Sequence, residues 1–152
     1  MKVLFLDYDG VVNTPIWNNS GTHCGYGIRE VNNFQAVQWV SELCQKYDLK
    51  IVVTSTWRFD PHYKQALING GLREGIEVVG RTKDLSIPGK RTIRGEEIKE
   101  WLDSHKDVEK YIIIDDDRDF LKEQLPFHIR TFSDVGFTHR EFVRACNILE
   151  EA

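Results

Sequence analysis

The order of hydrophobic and polar positions along the chain predicts strands that alternate with helices. Lys2–Leu6 is a continuous β-type run, as expected of a strand that is buried on both faces of a sheet. Apolar residues then recur at helical spacing from Arg29 to Tyr47, which predicts a helix. Further strands are predicted at Lys50–Thr54, Glu77–Val79, Lys110–Ile114 and Phe127–Phe132.

The later helices are marked by start and stop signals. Asp60-Pro61 is typical of a helix N-terminus, and Gly70-Gly71 is typical of a helix end. Another helix is predicted from about Gly95 to His105, and Thr138–Glu141 fits a capping box before the closing helix. We therefore expect a single α/β domain over residues 1–152, with a three-layer, Rossmann-like parallel sheet and helices on both faces.

The composition is that of a globular protein. Hydrophobic residues make up 41% of the 152 residues and charged residues 29%, unlike a disordered chain. No apolar run approaches the roughly 20 residues that span a bilayer, and the first apolar run meets Asp7 too soon for a signal peptide. We therefore expect a cytoplasmic protein with no membrane partner. The net charge of −4 gives no general attraction for nucleic acid, although a local basic groove is compatible with it.

The cysteines indicate neither a zinc site nor a disulfide framework. Cys24, Cys44 and Cys146 are far apart and form no Cys-x-x-Cys pair. Cys44 and Cys146 fall on the apolar faces of predicted helices, so we expect both in the core.

Polar residues gather where three of the predicted strands end, which is the edge where sheets of this kind bind ligands. The first strand ends in Asp7-Tyr8-Asp9-Gly10, and alternation along an extended chain puts Asp7 and Asp9 on the same side. The second strand ends in Thr54-Ser55-Thr56-Trp57-Arg58, and the strand at 110–114 runs into Asp115-Asp116-Asp117-Arg118-Asp119. Facing carboxylates repel one another unless a cation lies between them, and oxygen-only ligands favour Mg²⁺.

Each of these segments also has a purely structural interpretation. Asp-x-Asp-Gly alone is common in turns with solvated acids, a Ser/Thr run after a strand often caps a helix, and an acidic run suits a solvated helix start. The occurrence of all three at strand carboxyl ends is what favours a common site, because capping and turn formation do not require that coincidence.

The three segments resemble motifs of the haloacid dehalogenase-like (HAD) phosphohydrolase superfamily. Phe5–Asn13 resembles its first motif, Ile51–Ser55 its second and Ile112–Asp119 its fourth. More narrowly, Ser55–Arg58 and Arg94–Ile98 resemble the HAD domain of Swiss Army Knife RNA repair proteins. The resemblance implies a Mg²⁺-dependent phosphomonoesterase.

The resemblance also implies roles for the acidic residues. Asp7 would attack phosphorus to form an aspartyl-phosphate, and Asp9 would protonate the leaving oxygen and then activate water. Mg²⁺ would be bound by the Asp7 carboxylate, the backbone carbonyl of Asp9 and either Asp115 or Asp116. Asp119 is expected to hydrogen-bond around these ligands rather than to bind the metal.

Hydroxyl and cationic side chains would complete such a site. Ser55 would hydrogen-bond the phosphoryl group, with Thr54 as the alternative because the strand could end one residue earlier. The third motif supplies a cation that balances charge on the nucleophile and the phosphate. Arg94 is preferred because it matches the narrower branch, and Lys90 stays open because most of the superfamily uses Lys there; Arg91 is interpreted as a surface charge.

Other residues near the motifs have two interpretations. Arg58 would bind the phosphate or a neighbouring substrate group, or else form a surface ion pair. Trp57 would stack on a base or pack in the core, and Asn13 would orient the segment behind the first motif. His23 and Cys24 lie in a polar, Gly-rich loop, where a ligand role is not expected.

The gaps in which HAD phosphatases carry cap domains are short in this chain. Residues 14–29 read as a polar loop, and residues 58–90 leave room for one helix and one strand of the basic fold. We therefore expect a minimal cap or none and an open site, which suits a bulky phosphorylated substrate such as an RNA or DNA end. The alternatives are a small-metabolite or nucleotide phosphatase and a non-catalytic phosphate-binding regulatory module.

Overall fold

The computed structural model describes residues 1–15 and 30–151. Five strands form one parallel sheet, and their order across it is β3-β2-β1-β4-β5, so the first strand of the chain is central. The strands are β1 (Lys2–Leu6), β2 (Leu49–Val53), β3 (Val78–Arg81), β4 (Lys110–Asp115) and β5 (His128–Arg130). The helices of the described residues are α1 (Phe34–Tyr47), α2 (Tyr63–Asn69), α3 (Arg94–Asp103) and α4 (His139–Glu150).

Two apolar layers lie on opposite faces of the sheet. Leu4 and Leu6 of β1 belong to a buried cluster that also contains residues of α1, α2 and α4. The alternate positions of β1, Val3 and Phe5, pack with α3, where Trp101 meets the Phe5 ring edge to face at 5.5 Å between centroids. The three-layer α/β sheet predicted from the sequence is therefore confirmed, because successive side chains of each buried strand enter opposite layers.

The main differences from the predicted boundaries have local causes. α1 begins at Phe34 because the Asn33 side chain accepts the N–H of Ala36 and caps the helix there, and Arg29 lies outside the described residues. α2 begins at Tyr63, since residues 60–62 form a turn in which the Asp60 carboxylate accepts the N–H of His62. β2 ends at Val53, one residue before the predicted end.

The capping box predicted at Thr138–Glu141 takes another form. Thr138 is the residue before α4, but its hydroxyl donates directly to the buried Glu141 carboxylate at 2.7 Å instead of accepting a backbone N–H. Thr138 and Glu141 are therefore paired as predicted, but through a hydrogen bond between their side chains and not through the backbone bonds of a capping box.

At the second of the two cap positions, within the described residues, the chain forms only helices and strands that belong to the sheet and its helical layers, and no cap domain. Between residues 58 and 90 the chain forms the end of a 3₁₀ turn (Thr56–Phe59), α2 and β3. The first cap position, residues 16–29 with His23 and Cys24, lies outside the described residues. Cys44 and Cys146 are buried, as predicted. Within the described residues, none of the helices combines the length and the apolar character needed to cross a bilayer.

Candidate active site

Strand pairing brings three sequence-predicted residues side by side at the carboxyl edge of the sheet. Beyond the last residue of β1, the Asp7 N–H donates to the Ile114 carbonyl at 3.1 Å, and the Thr54 N–H donates to the Leu6 carbonyl at 3.0 Å. Asp115 is the last residue of β4, and it is fully buried. Asp7 therefore lies between Thr54 and Asp115, at the end of the central strand.

Three carboxylates converge at this point. Asp7, Asp115 and Asp116 each offer an oxygen, and these oxygens lie within 4.8 Å of one another. Asp7 Oδ1 is buried, and the Arg94 guanidinium lies 3.0 Å from it. Three carboxylates that converge in this way, with one guanidinium beside them, fit a hard divalent cation. The Asp9 carboxylate is not part of this cluster among the described residues.

Gly10 allows the close approach of the Asp116 carboxylate. Its φ is +80°, and a Cβ atom at this position would lie 2.3 Å from Asp116 Oδ2. The backbone turns directly before and after it, since the N–H groups of Val12 and Asn13 both donate to the Tyr8 carbonyl. Both the backbone conformation and the space therefore require glycine here.

Arg94 supplies positive charge to the cluster from the first position of α3. Its Nη1 atom is 2.6 Å from Asp115 Oδ2 and 3.0 Å from Asp7 Oδ1. Asp119 fixes the start of the helix, because its carboxylate accepts the Arg94 N–H and its carbonyl accepts the Gly95 N–H. Lys90, the alternative cation, is exposed in a turn with Ile87 and has no ion-pair partner in the part of the chain that the structure describes.

The buried acids and the cation shift one another's ionisation. Burial raises the pKa of Asp7 well above 3.8, and the charges of Asp115 and Asp116 raise it further, while Arg94 opposes them. Burial also raises the pKa of Asp115 to about 6, against the opposing effect of Arg94. Burial lowers the pKa of Arg94, but the carboxylates of Asp7 and Asp115 outweigh it, so this pKa is raised. The cluster thus carries more negative charge than Arg94 alone balances.

Asp9 is exposed and is held by two donors. Asn13 Nδ2 donates to Asp9 Oδ1 at 2.8 Å, and the indole Nε1 of Trp57 donates to the same oxygen at 3.1 Å. Trp57 also meets the Tyr8 ring edge to face at 5.5 Å. Trp57 is half-buried against the core, so the core packing considered for it is present. Its hydrogen bond to Asp9 was not predicted.

The two hydroxyls after β2 differ in their partners. Ser55 Oγ accepts the Trp57 N–H at 3.2 Å and thereby caps the 3₁₀ turn. Thr54 Oγ1 is buried and has no hydrogen-bond partner among the described residues. Both side chains are buried at the edge where Asp7 lies, and Thr54 is the one next to Asp7 in the sheet.

Arg58 lies inside the protein, where it holds the segment after β2. Its guanidinium donates to the carbonyls of Thr54, Ser55 and Thr82, and it pairs with Glu97 of α3 at 3.1 Å. The interpretation as a surface ion pair is therefore wrong, because Arg58 is only 4% exposed. These contacts also commit its Nε and both terminal nitrogens to groups of the protein itself.

Two functional contacts had no clear signal in the sequence. Glu97 is the buried ion-pair partner of Arg58, and it also accepts the Leu85 N–H. The sequence did not identify this partner. An acidic residue directly before the buried Ile98 was the only hint of it. The contact of Trp57 with Asp9 joins two loops that lie 48 positions apart, so no local pattern indicates it.

The comparison with known proteins identifies one family. A family model described as "HAD domain in Swiss Army Knife RNA repair proteins" matches residues 3–142, which is nearly the whole chain. No curated protein and no solved structure matches the chain.

Proposed function

The chain belongs to the family of HAD domains in Swiss Army Knife RNA repair proteins, and on that premise we propose that it is a Mg²⁺-dependent phosphomonoesterase with Asp7 as the nucleophile. The observation that carries the proposal is the position of Asp7. It is buried at the end of the central strand, 3.0 Å from the Arg94 guanidinium and within the cluster of Asp115 and Asp116. A carboxylate in these surroundings is suited to attack a phosphate whose charge is balanced by cations.

In the proposed reaction, an Asp7 oxygen bonds to phosphorus while the bond from phosphorus to the leaving oxygen breaks. Asp9 gives the leaving oxygen its proton. Water then attacks the aspartyl-phosphate and Asp9 takes a proton from it, which releases inorganic phosphate and restores both carboxyl groups. Mg²⁺, held by Asp7, the Asp9 carbonyl and Asp115 or Asp116, would offset the repulsion between carboxylate and phosphate.

The remaining side chains divide between substrate and support. The hydroxyls of Thr54 and Ser55 would donate to the phosphoryl oxygens, and the unsatisfied Thr54 Oγ1 supports a ligand there. Arg94 would be the third-motif cation, which its two ion pairs support over the exposed Lys90. Arg58 would act through Thr54 and Ser55, whose carbonyls it holds, and not by direct contact with the phosphate.

We further propose that the substrate is a phosphorylated RNA or DNA end. The family description names RNA repair proteins, which supports a nucleic acid. The segment between residues 58 and 90 adds no cap over the edge of the sheet, which supports a bulky substrate.

Turnover of p-nitrophenyl phosphate with Mg²⁺ tests the reaction. Asp7→Asn is expected to lower kcat by roughly 10³-fold or more, because the amide is not a nucleophile. The matched control is Asp107→Asn, which changes an exposed acid beside the N-terminus of β1, at the amino end of the strands. We expect this variant to keep the rate of the parent chain. Equal, negligible rates for the parent and Asp7→Asn would instead indicate a phosphate-binding module without turnover.

A substrate panel tests the nucleic-acid part separately. End-phosphorylated oligonucleotides, nucleotides and sugar phosphates are compared by phosphate release with Mg²⁺. We expect the highest kcat/KM with the oligonucleotides. Turnover confined to the small metabolites would contradict this substrate while leaving the phosphatase reaction in place.

A further inference from the structure

A bare aromatic ring lies on the rim beside the carboxylate cluster. Phe132 follows β5 and is 56% exposed, and the guanidinium of Arg140 from α4 lies over its ring, 5.4 Å from the centroid. Phe59 is a second exposed ring with a guanidinium over it, that of Arg58, so the exposure of Phe132 gains its meaning from its place next to the acidic motifs.

The position of this ring is fixed by bonds to the candidate active site. The N–H of Thr131 donates to the Asp115 carbonyl at 3.2 Å, and its hydroxyl donates to the Gly10 carbonyl at 2.7 Å. The backbone carbonyl of Phe132, the next residue, accepts the N–H groups of Val135 and Gly136 and so closes a tight turn. The ring is therefore one residue away from two direct contacts with the backbone of the acidic motifs.

The turn itself is anchored to the loop behind Asp7. Gly136 has a φ of +80°, and a Cβ atom there would lie 2.5 Å from the Val11 carbonyl. The Phe137 N–H donates to the same carbonyl at 2.9 Å, and Asn33 Nδ2 donates to the Val135 carbonyl. These contacts hold the exposed ring on a rigid support next to the nucleophile loop.

A second guanidinium contacts the backbone of the acidic motif. Arg130 Nε donates to the Asp116 carbonyl at 3.1 Å, and the residue is exposed two positions before Phe132. Within the described part of the chain, neither Arg130 nor Arg140 is ion-paired with a carboxylate. In a chain of net charge −4, two such guanidiniums beside a bare ring give one rim of the site a local preference for an anionic, aromatic ligand.

We infer that Phe132, Arg140 and Arg130 form a subsite for the nucleotide next to the phosphorylated end of a single-stranded nucleic acid. The base stacks on the Phe132 ring with Arg140, and Arg130 pairs with the phosphate that joins this nucleotide to the terminal one. This inference rests on the proposed function, since it places the terminal phosphate at Asp7. A nucleic acid offers a base and a backbone phosphate at every nucleotide, whereas a phosphopeptide has no such repeat to match one ring and two guanidiniums.

Binding without turnover tests the subsite. In the Asp7→Asn background, fluorescence anisotropy with Mg²⁺ gives Kd values for end-phosphorylated single strands of one, two and more nucleotides. We expect affinity to rise roughly tenfold from one nucleotide to two, and Phe132→Ala to remove that gain. Phe132→Tyr, which keeps a stacking ring, should restore it. Phe127→Ala is the matched control, because this exposed Phe precedes β5 at the opposite end of the strand.

The outcomes separate this inference from the phosphatase proposal. Equal Kd values for the parent and Phe132→Ala with every strand length would overturn the subsite, even if p-nitrophenyl phosphate is hydrolysed. Weaker binding of a phosphopeptide by Phe132→Ala, with unchanged oligonucleotide binding, would overturn it as well. A Phe132-dependent gain with length in a chain that hydrolyses no phosphate ester would support the subsite and contradict the proposed reaction.

Discussion

The indole N–H of Trp57 donates to Asp9 across two loops of the active-site edge, at 3.1 Å from Oδ1. Asn13 donates to the same oxygen at 2.8 Å. Because both donors engage Oδ1, Oδ2 is the oxygen that is left to exchange a proton with the leaving group. The contact thus ties the orientation of the proposed acid to the segment that carries Thr54 and Ser55.

Trp57→Phe removes this donor and keeps an aromatic ring against Tyr8. We expect kcat to fall about tenfold with alkyl phosphates and much less with aryl phosphates, because a poor leaving group depends most on protonation. KM should change little. The measurement is the ratio of kcat values for the two substrate classes in parent and variant.

The control for this prediction is Trp39→Phe. Trp39 lies on α1 and packs against His139 and Phe142 of α4. An equal loss with both substrate classes in Trp57→Phe would show that the residue only supports the fold.

The ion pair of Arg58 and Glu97 is buried, and its loss should destabilise the protein. Glu97→Gln leaves a guanidinium without its counter-charge inside the protein, which we expect to cost about 3 kcal/mol of unfolding free energy. Urea unfolding measures it. Asp103→Asn breaks the exposed pair with Lys99 on the same helix and should leave the urea midpoint almost unchanged. Similar urea midpoints for the two variants would contradict the prediction that the buried ion pair stabilises the protein more than the exposed one.

The strand pattern of this chain could be predicted mainly because the three central strands, β1, β2 and β4, are buried on both faces. All five predicted strands exist, and the ends of β1 and β4 fall within one residue of the predicted ends. The start of α1 was predicted too early, at Arg29, although the recurring apolar positions begin at Phe34, where the capping bond of Asn33 lets the helix begin. Periodicity reports the buried face, and boundaries depend on single hydrogen bonds.

The candidate site could be predicted only as far as residues follow strand ends. The juxtaposition of Asp7 with Asp115 follows from pairing of neighbouring strands, so sequence reasoning reached it. The choice between Arg94 and Lys90 depends on how α3 approaches the edge, which Asp119 sets from a distant loop. The partners of Arg58 likewise come from three separate segments, so a guanidinium expected either on the phosphate or in a surface ion pair is buried against the protein itself.

The raised pKa values predict an unusual pH dependence of stability. Burial raises the pKa of Asp115 from 3.8 to about 6, and that of Asp7 is raised as well. The folded chain therefore binds more protons than the unfolded chain between these values, and without metal its stability should fall as pH rises through this window. For Asp115 alone the loss is about 3 kcal/mol at pH well above 6.

Mg²⁺ should reverse this trend, because the cation takes the place of the protons. Thermal unfolding with Mg²⁺ or with a chelator, from about pH 4 to about pH 7, measures the effect. We expect Mg²⁺ to raise Tm near pH 7 and to have no effect near pH 4. Asp115→Asn should raise Tm in the chelator and weaken the response to Mg²⁺. A Tm that rises with pH in the chelator would contradict the prediction.

Gly10 and Gly89 allow backbone strain to be separated from the fit of the metal site. Their φ values are +80° and +81°, but a Cβ atom at Gly10 would meet Asp116 Oδ2 at 2.3 Å, whereas one at Gly89 would meet no atom within 4 Å. Gly89→Ala should therefore cost only the left-handed conformation, about 1 kcal/mol. Gly10→Ala should cost more and also weaken the Tm response to Mg²⁺, because the Asp116 carboxylate must move. If the two variants respond to Mg²⁺ alike, Asp116 does not take part in binding the metal.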